Sequence, residues 1–71
     1  MITINIAHTV SDKQYNAAKN VVEKAFSTEP YLNGVLYQIE RDEFTFIDGY
    51  GSDDANYLVL LKKIQRAIAE N

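Results

Sequence analysis

The sequence predicts a small α+β domain of element order β-α-β-β-α, two helices packed on one face of a small three-stranded mixed sheet. Three observations carry this. The first residues alternate apolar and polar with period two. Two longer stretches repeat their apolar residues with the helical period, each behind a helix-start signal. Between them lie two short strand-like runs joined by a polar turn.

Ile2, Ile4 and Ile6 alternate with Thr3, Asn5 and Ala7, the pattern of a half-buried strand with the isoleucines inward. Ser11 and Gln14 stand three apart ahead of an apolar-periodic run, as in a capping box. In the helix that follows, Tyr15, Ala18, Val21, Val22, Ala25 and Phe26 fall on one arc. Asp12, Asn16, Lys19, Asn20, Glu23 and Lys24 fall on the other. It should end near Ser27, because Pro30 cannot continue a helix. Asn33 and Gly34 signal a turn. Residues 35–40 read as the second strand, residues 41–43 as a polar turn and residues 44–48 as the third strand, so the last two form a hairpin. Gly49 and Gly51 break the chain. Ser52, Asp53 and Asp54 then open a second helix, with acids at the positive end of its dipole. Its buried arc is Tyr57, Leu58, Leu60, Leu61, Ile64, Ala67 and Ile68, and Val59, Lys62, Lys63, Arg66 and Glu70 face out.

A helix between the first two strands implies that they run parallel. With the hairpin slotting strand three between them, the order is 1-3-2. This looks like a ferredoxin-like split βαβ unit without its last strand. Strand one is then a bare edge, open to pairing with another chain. The helix-free face is lined by Thr3, Asn5, Leu36, Gln38, Thr45 and Ile47.

At 71 residues, with 46% apolar residues and one proline, the chain reads as a single packed domain, residues 1–71. A chain this size hides only about 60% of its unfolded surface, so a partner subunit could complete its core. It has no cysteine and one histidine, His8, which excludes disulfides and thiolate or multi-histidine metal centres. No apolar run is long enough to span a bilayer, and the first residues lack a secretory pattern. The expectation is a cytoplasmic protein with no membrane partner.

Charge is unevenly spread. Residues 40–54 hold Glu40, Asp42, Glu43, Asp48, Asp53 and Asp54 against Arg41, six acids to one base, or −5 within a net −3. Such an end repels phosphate backbones and attracts basic partners.

The candidate chemistries are few. Residues 48–54 hold carboxylates around glycines, but without the alternating acids and distal glutamate of a calcium loop they read as a helix cap. Asp53 and Asp54 would repel a phosphate at the following helix start. Phe44, Thr45, Phe46 and Ile47 are similar to the aromatic strand of an RNA-recognition motif over four residues. Asp42 and Glu43 stand where that motif has a basic residue and a glycine, so nucleic acid is not the expected partner. Nothing places an acid beside His8, and no spacing supports a catalytic dyad or triad, so no enzyme activity and no cofactor are expected.

Tyrosine is enriched at interfaces, and of five tyrosines Tyr31 and Tyr50 are claimed by no core period. The expected partner surface is therefore Asp42, Glu43, Asp48, Tyr50, Asp53, Asp54 and Tyr31, with Val59, Lys62, Lys63 and Arg66 as a secondary stripe. The expected function is that of a small acidic inhibitor covering a basic surface of a nucleic-acid-handling protein. Accessory proteins of phages and mobile elements that antagonise bacterial defence nucleases are of this type. Two alternatives are a nucleic-acid-binding module, using the open sheet face or the basic stripe of helix two, and a homodimeric structural protein joined through strand one or the open face.

Overall fold

In the computed structural model, residues 1–43, 47–50 and 55–71 are described, with the backbone alone at Tyr31, Asp48, Gly49 and Tyr50. Strand β1, Ile2–Ala7, leads into helix α1, Asp12–Thr28. A single 3-10 turn, Pro30–Leu32, precedes strand β2, Tyr37–Asp42. Strand β3, Asp48–Tyr50, and helix α2, Ala55–Glu70, complete the α+β fold.

Ser11 caps α1 as its spacing predicts. Its hydroxyl accepts from the Gln14 N–H at 3.1 Å, and the Gln14 amide oxygen accepts from the Ser11 N–H at 2.9 Å. The Gln14 amide nitrogen also donates to the Ile68 carbonyl at 3.1 Å, tying the start of α1 to the end of α2. After α1, Gly34 takes a φ of +81°, the left-handed conformation its turn demands.

Ile2, Ile4 and Ile6 form the floor of the core. Ala18, Val22 and Ala25 of α1, Leu32 of the turn, and Tyr57, Leu60 and Ile64 of α2 close over them. Both helices therefore lie on the isoleucine face. Leu58 departs from expectation. The sequence places it on the buried arc of α2, yet it is 51% exposed, because α2 meets the core through buried Tyr57, Leu60 and Ile64, with Leu61 and Ile68 packed partly against it.

The sheet order is β2-β1-β3, which corrects the ferredoxin-like arrangement and its 1-3-2 order. β1 pairs parallel to β2, as a helical crossover requires, with Ile2 opposite Tyr37 and Ala7 opposite Asp42. β3 lies on the other side of β1, antiparallel, with Thr3 opposite Tyr50 and Asn5 opposite Asp48. Among the described residues β2 and β3 do not pair as a hairpin, residues 44–46 of the expected third strand lying outside them, and strand one is the central strand instead of a bare edge. Ile2 and residues 4–7 of β1 are all buried, so Asn5 and Ala7 on the helix-free side are shielded as well as the isoleucines on the other.

Arg41 accounts for the greater length of β2. Expected in a turn, it belongs to β2 and reaches back to the start of α1. There its Nη2 donates to the carbonyls of Val10 at 3.1 Å and Ser11 at 3.2 Å. Its Nη1 pairs with Asp12 at 3.1 Å, and its guanidinium lies 4.5 Å from the centre of the Tyr15 ring. These contacts tie the end of β2 to the start of α1, just past the end of β1, and β3 pairs with the other side of β1.

Candidate functional site

The side-chain alternation of the strands sorts the chain's charges. On the helix side of the sheet are Ile2, Ile4 and Ile6 of β1, with Tyr37, Ile39 and Arg41 beside them on β2. On the helix-free side, Glu40 stands beside Asn5 and Asp42 beside Ala7. Position 48 flanks Asn5 from the other strand. Glu40 and Glu43 are exposed, Asp42 is half-buried, and Asn5 is buried between its neighbours.

Every lysine of the chain lies on α1 or α2, and so does Arg66. Arg41, the remaining base, is turned into the start of α1. The described strands thus contribute acids and no base to the helix-free face. Glu40 belongs to the acidic stretch of residues 40–54 but not to the residues the sequence assigns to the partner surface. The period-two alternation of residues 37–42 is the signal that finds it.

The expected partner surface is divided by the fold. Asp42 and Glu43 lie at the end of the sheet where β1 finishes, and position 48 lies at its middle. Position 50 is opposite Thr3, about 13 Å along the strand from the level of Asp42. Tyr31 sits in the 3-10 turn that precedes β2. Asp53 and Asp54 lie outside the described residues, as do Phe44, Thr45 and Phe46. Of the residues assigned to the open sheet face, Gln38 and Leu36 are exposed, whereas Ile47 packs against the core and does not belong there.

The stripe on α2 keeps Val59, 48% exposed, among exposed Lys62, Lys63 and Arg66. Its bases have acidic neighbours. Lys63 lies 4.0 Å from Glu29, and Arg66 pairs with Glu70 at 3.0 Å. These groups border a shallow groove of about 340 Å³ between the helices, whose floor includes Val21, Ala25 and Ala67. Exposed pairs contribute little to stability, but they set carboxylates beside the cations a phosphate would seek.

Among the described residues, no three His, Cys, Asp or Glu side chains converge in a metal-binding group. His8 is exposed just past the end of β1. No helix among the described residues is long and apolar enough to cross a membrane. Comparison with protein families, with curated proteins and with solved structures finds no match to this chain.

Proposed function

We propose that this chain is a non-enzymatic interaction domain whose helix-free sheet face docks on a basic surface of a protein partner. The supporting observation is the segregation of charge. Glu40, Asp42 and Glu43 lie on or beside that face, while the lysines and Arg66 lie on the helices and Arg41 is drawn into the start of α1. A surface of one sign opposite one of the other steers encounter and rejects like-charged competitors. Surfaces that hold nucleic acid are basic in this way. The reading that follows is an inhibitor that occupies the groove of a nucleic-acid-handling protein and displaces its substrate.

The test is capture from a lysate by the tagged chain, with the triple variant Glu40→Lys, Asp42→Lys and Glu43→Lys alongside. Capture by the native chain of a nucleic-acid-handling protein that oligonucleotide competes away, and its loss in the variant, is the expected outcome. Equal capture by both forms refutes the assignment of the face.

Direct nucleic-acid binding is the competing reading. It draws support only from Lys62, Lys63 and Arg66, two of which neighbour carboxylates. A labelled oligonucleotide should show no anisotropy change with the chain at physiological salt. Salt-sensitive binding would reverse the preference.

A further inference from the structure

We infer that the free edge of β2 is a self-pairing surface, on which a second copy of this chain adds its own β2 antiparallel about a two-fold axis through Ile39. The inference is independent of the proposed acidic docking face. It replaces association through strand one, which is paired on both sides.

β2 is the longer of the two outer strands, with six residues against three in β3. Among the described residues it pairs only with β1. Its register with β1 runs unbroken from Tyr37 to Asp42, so no bulge twists this edge away, and it carries neither proline nor lysine. Bulges, proline and lysine are among the devices by which an outer strand avoids further pairing; β2 does carry the charges of Glu40, Arg41 and Asp42, and their placement restricts the register a second strand can take. Tyr37, against the Phe26 ring at 4.1 Å, is still 37% exposed, and Ile39 is only half-buried.

The backbone fixes which groups are available. The Ile2 N–H donates to the Leu36 carbonyl at 2.8 Å, so Leu36 faces β1. Backbone groups alternate sides along a strand, so Gln38, Glu40 and Asp42 also face β1. Tyr37, Ile39 and Arg41 therefore turn their N–H and C=O groups outward. An antiparallel partner must set outward residues opposite outward residues, which leaves few registers.

Centred on Ile39, Ile39 meets Ile39 of the second copy and Tyr37 meets Arg41, each facing pair exchanging both of its hydrogen bonds. On the helix side of the sheet this joins two isoleucines and sets an arginine beside a tyrosine. On the open side Gln38 meets Glu40, an amide against a carboxylate. Centred on Glu40, the strands would set Glu40 against Glu40 in the closer, non-hydrogen-bonded kind of pair, which like charge disfavours. Centred on Gln38, Arg41 would reach past Tyr37 to Val35, outside the strand. The sequence of β2 is thus self-complementary in one register. The two-fold axis stands perpendicular to the sheet, so both open faces lie on the same side of the dimer.

The test uses the chain alone, in sedimentation across a concentration series, so its outcome is separable from partner docking. The native chain should reach twice its 8.1 kDa mass. Gln38 is exposed and its amide donates to Glu40 of the same chain on the side away from the core, so Gln38→Glu and Gln38→Lys alter only that surface contact and should both fold, as circular dichroism would verify. Gln38→Glu sets carboxylates face to face in two symmetric pairs and should weaken the dimer on the order of tenfold. Gln38→Lys should tighten it. A monomer up to the solubility limit, or a dimer equally strong in both variants, overturns the inference.

Discussion

Replacing Arg41 with alanine should cost about 2 kcal/mol of stability, far more than removing the carboxylate it pairs with. The guanidinium is the latch between the end of β2 and the start of α1. One nitrogen serves two carbonyls, Val10 and Ser11, at 3.1 and 3.2 Å. A hydrogen bond from a charged donor contributes roughly 1.5–3 kcal/mol, and a single nitrogen shared between two acceptors sits near the lower bound. The contact with the Tyr15 ring adds about 0.5 kcal/mol at this partly exposed position. The ion pair adds little, because the Asp12 side chain is 93% exposed and water screens it. Asp12→Asn should therefore cost no more than about 0.5 kcal/mol, part of it from the helix dipole. Arg41→Lys should lose most of what Arg41→Ala loses, since an ammonium cannot spread over the same fork of acceptors.

The assay is urea unfolding followed by helical circular dichroism, at the lowest workable concentration so that association does not add to stability. A domain of this size holds only about 4–10 kcal/mol in total, so the shift in midpoint should be large. Two results would refute the reasoning. One is Arg41→Ala within about 0.5 kcal/mol of the native chain. The other is Asp12→Asn matching Arg41→Ala, which would make the ion pair the source of the stability.

Three other outcomes are expected. Leu60→Ala should cost about 2–4 kcal/mol, because Leu60 is 1% exposed, whereas Leu58→Ala should cost under about 1 kcal/mol; thermal melts of the two variants check the contrast. Ser11→Ala should cost about 1 kcal/mol by freeing the Gln14 N–H, and amide exchange at the first turn of α1 should quicken with it. Gly34→Ala should cost about 1 kcal/mol in a denaturation midpoint although a Cβ there meets no atom within 4 Å, because the penalty comes from the positive φ alone.

Local chemistry was legible where it depends on neighbours in the chain. The Ser11–Gln14 box is two residues three apart, and both of its hydrogen bonds form. The two helices follow from apolar period, and the inward isoleucines of β1 follow from alternation. The candidate face was legible only in part. The acids of residues 40–43 were visible as a cluster, but the role of Glu40 depends on which way the β2 alternation points. The separation of Tyr31 and Tyr50 from Asp42 and Glu43 depends on where the strands lie in the sheet.

Taken alone, the amino-acid order determined the α+β class, the two amphipathic helices and the parallel sense of β1 and β2, since a helix between strands returns the chain in its original direction. Only the tertiary structure decided the strand order. A polar run such as Arg41, Asp42 and Glu43 has the composition of a hairpin turn, and local propensity cannot weigh a contact thirty residues away. Arg41 gains more by reaching the carbonyls and ring at the start of α1 than by lying exposed in a turn. That contact lies within a β2 that runs to Asp42, β3 pairs with the far side of β1, and among the described residues the outer strands are β2 and β3 instead of β1.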